Sequence, residues 1–340
     1  MSTRTRPTGA LLACLLLLLG HATPAPAQGK LVVLDREASL ITVLNPDTER
    51  ILARLSTSGH PRGVAVSPDG GLAYVATDGT GPTVSVLDLR TLSVRAVFVP
   101  DVVGRLRGIR VSHSGRRLWL STEGTEVLEM DARTGALLMV WKTGEVRETT
   151  SSAGRPLVSS PDGRKLYIAN RQAGSVSVID RLTITARRIP AGTGPTGLDL
   201  TPDGRELWVA NGRDNTLTVI DTRHDVPVAT LPSGGSEPVH VGVRPGGREV
   251  WVVHRASREL TVFDLASRRL IAVLPVTEEP RALVFSPDGR QVFVNLPGAR
   301  AVEVVDAATR EVLGVFSTEI GPYWMAWGGV AGPAGAVTAR

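Results

Sequence analysis

The stretch at residues 160–183, SPDGRKLYIANRQAGSVSVIDRLT, is restated along the chain, and a repeat of this kind limits the possible folds more than any other feature. Ser160-Pro161-Asp162-Gly163 is turn chemistry: the proline presets φ, the aspartate can bond its own backbone, and the glycine supplies positive φ. Leu166-Tyr167-Ile168-Ala169-Asn170 is an apolar run of strand length, and Ser175-Val176-Ser177-Val178-Ile179-Asp180 alternates with period two. A second turn begins at Asp180. The unit reads as two strands of an antiparallel meander with a turn at each end.

The first turn recurs as Ser67-Pro68-Asp69-Gly70, Thr201-Pro202-Asp203-Gly204 and Ser286-Pro287-Asp288-Gly289, and in degraded form at Ser112-His113-Ser114-Gly115 and Arg244-Pro245-Gly246-Gly247. The second recurs at Asn45, Asp88, Asp131, Asp221, Asp264 and Asp306, so that successive copies, Asp180 included, lie 43, 43, 49, 41, 43 and 42 residues apart. A period near this length, filled with short strands, predicts an all-β fold: a seven-bladed β-propeller of four-stranded antiparallel blades. The aromatics at Tyr74, Trp119, Tyr167, Trp208, Trp251 and Phe293 mark the second strand of each blade and are expected to pack between neighbouring sheets.

Residues 31–35 match 166–170, so the chain enters the repeat at its second strand. Pro322-Tyr323-Trp324-Met325-Ala326-Trp327-Gly328 aligns with the inner-strand starts at Pro61 and Pro280. The C-terminal strand is therefore expected to complete the first blade, closing the ring and removing an open sheet edge. The expected organisation is a signal peptide at 1–27, the propeller at 28–329 and a flexible tail at 330–340. Arg4 and Arg6 form a basic start, 10–19 an apolar core too short to span a bilayer, and Ala25-Pro26-Ala27 a small-residue cleavage site. That pattern predicts export to the periplasm or secretion. Cleavage would remove Cys14, the single cysteine, and lower the formal charge from +5 to +3, a mild excess unlike the basic stripe of a nucleic-acid binder. No nucleic acid, no transmembrane segment and a monomer are expected. The longest link between blades, residues 142–154, reads as a mobile loop over the mouth of the ring.

Leu166-Tyr167-Ile168-Ala169-Asn170 and Leu207-Trp208-Val209-Ala210-Asn211 closely resemble the YVTN motif. Together with Ser-Pro-Asp-Gly, Val178-Ile179-Asp180 and Val219-Ile220-Asp221, they make the chain look like a YVTN-family β-propeller repeat protein over residues 31–328. The resemblance implies the fold and leaves the activity open. Related propellers include lactonases, haem d1 domains and proteins linked to quinone-dependent alcohol catabolism, and one architecture hosts several functions.

Two sets of residues should gather at the mouth, where the inner strands begin. The position after the repeat's proline holds Arg62, Arg107, Arg155 and Arg281 in four repeats, and Tyr323, Thr196 and Val239 in the others. A second set, between strands two and three, is Arg36, Arg171, Arg213 and Arg255. Guanidinium groups suit carboxylates and phosphates, which accept two parallel hydrogen bonds. The expected ligand-binding residues are therefore Arg62, Arg107, Arg155, Arg281, Tyr323 and His240. They would receive an anionic small molecule or an acidic segment of a partner protein, and a plain solvated rim is the alternative. His240 and His254 lie on paired strands, where one residue of register decides whether they share a face. No third ligand accompanies them, so neither a metal nor a cofactor is assigned, and a haem-bearing reading lacks an axial ligand. There is no Gly-x-Ser-x-Gly, and no catalytic residue is assigned. The reading is an exported, non-enzymatic binding propeller. The alternatives are a metal-dependent lactonase-type hydrolase, drawing on Asp35, Asn170, Asn211 and Asp199, and a haem- or quinone-linked redox protein.

Overall fold

The computed structural model describes residues 29–79, 81–102, 104–143, 156–318 and 321–328. The expected signal peptide and tail, and residues 144–155 of the long link, Arg155 included, lie outside the described residues. Seven four-stranded antiparallel sheets form the structure, and six of them use consecutive strands. These are blade 2 (residues 59–98), blade 3 (106–142), blade 4 (157–190), blade 5 (195–232), blade 6 (238–275) and blade 7 (283–317). Blade 1 is composite: Pro322–Gly328 is the inner strand, followed outward by Lys30–Asp35, Leu40–Asn45 and Arg50–Ser56. The closing strand runs antiparallel to Lys30–Asp35 with Leu31 opposite Trp327 and Val33 opposite Met325. Trp327 packs against Phe293 of blade 7, ring centroids 5.0 Å apart.

The burial pattern of each strand follows from its place in the blade. Second and third strands, such as Leu207–Asn211 and Leu217–Ile220, are buried on both faces because each sheet is covered by its two neighbours, and they read as nearly unbroken apolar runs. Fourth strands, such as Arg50–Ser56, alternate toward solvent. The aromatic of every second strand is buried: Trp119, Tyr167, Trp208, Trp251 and Phe293 are fully enclosed, and Tyr74 is 2% exposed.

The turns behave as their composition dictates. In the Ser-Pro-Asp-Gly copies, Gly70, Gly163, Gly204 and Gly289 take φ of 68°, 68°, 69° and 68°, the left-handed region that glycine enters without a Cβ penalty. At the ends of the third strands, Asp88, Asp180, Asp221 and Asp306 accept the N–H groups of Arg90, Leu182, Arg223 and Ala308 at 2.8, 2.9, 2.7 and 2.7 Å. These backbone donors hold Asp88 and Asp306 below the usual carboxylate range. The acids are turn formers.

Candidate functional site

The inner strands surround a central cavity of about 520 Å³. What turns side chains into its mouth is a repeated irregularity. Pro61 pairs with Thr77 and Gly63 with Ala76, leaving Arg62 as the extra residue of a bulge. The same skip occurs at Arg107, Thr196, Val239 and Tyr323. A bulge places two residues opposite one and re-aims the unpaired side chain. All five bulged residues line the cavity, as does Arg281, whose N–H donates to the Asn295 carbonyl at 3.2 Å. Asn295 Nδ2 in turn donates to the Pro322 carbonyl at 3.3 Å, tying the Arg281 edge of blade 7 to the Tyr323 edge of blade 1.

Arg62, Arg107, Arg281, Tyr323 and His240 therefore surround one space; Arg155 lies outside the described residues. The arginines are not equivalent. Arg62 Nε donates to Asp78 Oδ2 at 2.7 Å, with both side chains almost wholly buried (5% and 6% exposed). Arg107 Nη2 donates to Glu123 Oε2 at 3.3 Å. Asp78 and Glu123 stand directly after the second strands' buried residues, where blade 4 carries Arg171 and blade 6 carries Arg255. Blades 2 and 3 thus supply counter-charges of their own for Arg62 and Arg107. Compensation is incomplete. Arg62 Nη1 is buried without a hydrogen-bond partner, and burial, then the neighbouring Arg62 charge, lowers the Arg107 pKa. Arg281 is held differently, its guanidinium 4.8 Å from the Tyr323 ring centroid, and Arg36 approaches the same ring at 5.6 Å. Of the second set, Arg171 and Arg255 reach the cavity, and Arg255 Nε donates to Glu237 Oε2 at 3.1 Å.

His240 and His254 do not converge. The bulge pairs Pro238 with His254 and His240 with Val253, offsetting the two histidines. His240 points into the channel, where its ring meets Trp324 edge to face at 5.2 Å, and burial, followed by the Arg110 charge, pushes its pKa down to about 4. His254 is fully buried within blade 6. Below the mouth the channel wall is apolar at Val64, Ile109, Leu198, Val241 and Leu283, with Arg110 and Asp199 one residue further along their strands. Asp199 accepts the N–H groups of Leu200 and Val243 at 3.0 and 2.9 Å, and burial pushes its pKa up against the opposing effects of Arg110 and those two N–H groups.

The acid and amide set considered for a hydrolase does not assemble. Asn170 donates to Ser177 Oγ at 2.9 Å and Asn211 to Thr218 Oγ1 at 2.9 Å, both inside their blades. Asp35 accepts the Ala38 N–H in a turn at 2.5 Å. Of the four, only Asp199 lines the channel, and among the described residues no group of three or more His, Cys, Asp or Glu could hold a metal ion. Sequence reasoning missed Asp78, Glu123, Arg110 and Trp324. Aligning the residue after each second strand would have found the two acids.

Comparison with known proteins agrees with this architecture. Residues 106–226, covering blades 3 and 4 and most of blade 5, match a family described as Lactonase, 7-bladed beta-propeller. The chain is 31% identical over 147 residues to the seven-bladed beta-propeller protein Rv1057 of Mycobacterium tuberculosis, a match covering 42% of this chain and 34% of that protein, about a third of its length. Among solved structures, a protein of unknown function from Desulfotomaculum acetoxidans superposes with a TM-score of 0.73 at 15% identity, covering 89% of this chain and 99% of that one. Hydrazine synthase of Kuenenia stuttgartiensis gives 0.67 at 18% identity, covering 86% and 99%. The dihydro-heme d1 dehydrogenase NirN, in complex with DHE, gives 0.64 at 19%, covering 87% and 74%. At such identities the structural likeness speaks for the fold alone. The chain is a seven-bladed β-propeller with local sequence similarity to lactonase-type propellers.

Proposed function

We propose that this chain is a YVTN-type ligand-binding propeller whose channel mouth receives the anionic group of a small molecule. The observation that carries the reading is the juxtaposition of Arg62 and Arg107 on the cavity wall, where burial and the Arg62 charge together lower the Arg107 pKa. Neighbouring like charges repel, and an anion entering the mouth would offset that repulsion through a charge-assisted hydrogen bond. A charge-assisted hydrogen bond of this kind contributes about 1.5–3 kcal/mol, so losing it should weaken binding roughly ten- to a hundredfold.

The test is thermal stabilisation by inorganic phosphate, succinate and an acidic peptide, at low and high salt. The comparison is the double variant Arg62→Gln, Asp78→Asn, which removes the guanidinium without stranding its carboxylate. Salt-sensitive stabilisation of the native chain that the variant loses supports the reading, and the peptide arm separates a protein segment from a small molecule. Equal responses in the two proteins would mean a solvated rim.

A second reading, a metal-dependent lactonase-type hydrolase, is favoured by the match over residues 106–226. The residues present do not fit the expected metal set, because Asp35, Asn170 and Asn211 are engaged inside their own blades and turns. Lactone turnover that depends on Asp199 would favour this reading over simple binding.

A further inference from the structure

The channel mouth is asymmetric in a way that bears on what the anion is attached to. Going round the ring, the residue that follows each mouth position is Gly63, Gly108, Pro156, Gly197 and Ala282 in blades 2, 3, 4, 5 and 7. Among the described residues, the aromatic side chains at this level belong to blades 6 and 1, where the rings of His240 and Trp324 meet edge to face. Tyr323 sits directly above Trp324 on the same strand, with Arg281 at its ring. Arg62 and Arg107 stand on blades 2 and 3; across the mouth, aromatic rings accompanied by Arg281 rise above an apolar wall of Leu283, Val241 and Met325.

We infer that the anion received here is the carboxylate of an aromatic acid, held by Arg62 and Arg107 while its ring lies against the His240–Trp324 pair. This rests on the anionic reading above and goes beyond it by naming the ligand class. Three features carry it. The cavity, at about 520 Å³, is of the size that encloses small ring-bearing ligands and is far larger than a bare phosphate or acetate needs. Its aromatic side offers both an indole and an imidazole, and rings prefer offset or edge-to-face contact with such groups over contact with a saturated ring of equal area. Finally, His240 is desolvated by its surroundings, so the pair presents neutral π surface and does not compete for the carboxylate.

Calorimetric titration of the full chain with benzoate, cyclohexanecarboxylate, acetate and inorganic phosphate tests this directly. Benzoate is expected to bind roughly three- to tenfold more tightly than cyclohexanecarboxylate, the range given by an aromatic pair beyond its buried area. Trp324→Leu should abolish that preference while leaving acetate unchanged, and Trp324→Phe should retain it, which separates lost ring contact from a damaged fold. If cyclohexanecarboxylate binds as well as benzoate, or the preference survives Trp324→Leu, the aromatic assignment is wrong although anion binding stands. If none of the four binds, or binding is indifferent to the Arg62→Gln, Asp78→Asn change, the anionic reading fails and this inference falls with it.

Discussion

His254 Nε2 lies 2.9 Å from the hydroxyl of Thr261, seven residues further along the chain. Asn170 and Ser177, and Asn211 and Thr218, make the same contact at 2.9 Å in blades 4 and 5. Thr261 Oγ1 donates to the Ser233 carbonyl at 2.9 Å, so its hydroxyl proton is committed and His254 must be the donor through Nε2. Nδ1 is left bare and buried without a partner. The histidine thus takes the place of an amide that ties the end of the second strand to the third.

This relationship predicts an acid sensitivity. Burial pushes His254 down to about 4, since protonating Nδ1 would place a second N–H where nothing accepts it. The unfolded chain binds that proton near the ordinary histidine value of about 6.5. His254 therefore costs nothing above that pH, and stability falls as pH drops from about 6.5 toward 4, by an amount on the order of 3 kcal/mol. His240, also pushed down to about 4, acts in the same direction. His254→Asn should fold normally at neutral pH and lose part of this acid slope, measured by denaturant unfolding at a series of pH values. An unchanged slope would contradict the assignment.

Asp78→Asn tests the incomplete compensation at the mouth. The amide oxygen can still accept from Arg62 Nε, but the negative charge beside two buried guanidinium groups is gone. The variant should melt below the native protein in low salt and show a larger rise in melting temperature with phosphate or benzoate. A smaller rise than in the native chain would show that Asp78 is not the competing anion.

Asp225 should be among the most sensitive surface-turn positions. It accepts from Lys165 Nζ at 2.9 Å, Tyr167 Oη at 3.1 Å and Arg187 Nη2 at 2.7 Å, fastening the outer turn of blade 5 to blade 4. Its side chain is only 2% exposed, and burial with the Asp225 charge holds the Tyr167 phenol above its usual range. Asp225→Asn keeps a residue suited to its φ of 57° and removes only the charge. A loss of about 1–3 kcal/mol is expected, because Lys165 keeps the Thr222 carbonyl but loses the carboxylate that its charge pairs with. A shift of the urea midpoint within error of zero would mean the three contacts are dispensable.

Removing residues 321–340 should cost several kcal/mol, through the lost burial of the closing strand and its ladder to Lys30–Asp35. The exposed edge should also promote association between chains. Thermal unfolding and size-exclusion chromatography measure both effects, and a truncated chain that melts with the intact one would remove the closure from the account.

The repeat, the seven blades, the turns and the closing strand were all legible in the residue order. Those features rest on local chemistry: Gly at positive φ, Asp accepting neighbouring N–H groups, and apolar runs buried on both faces. It also placed Arg62, Arg107, Arg281 and Tyr323 around one opening, since equal positions in a cyclic repeat meet at equal heights, with His240 one residue further along its strand. How those residues are held emerged from the folded ring. Bulges too small to show in residue spacing turn Arg62 and Tyr323 into the mouth. Asp78 and Glu123, sixteen residues after the arginines they oppose, meet them because adjacent strands fold back on each other. His240 and His254 were separated by the same device, one residue of register sending one ring into the channel and the other into the blade. Charge compensation and side-chain direction depend on three-dimensional neighbours, and the chain encodes those only through the packing of the whole ring.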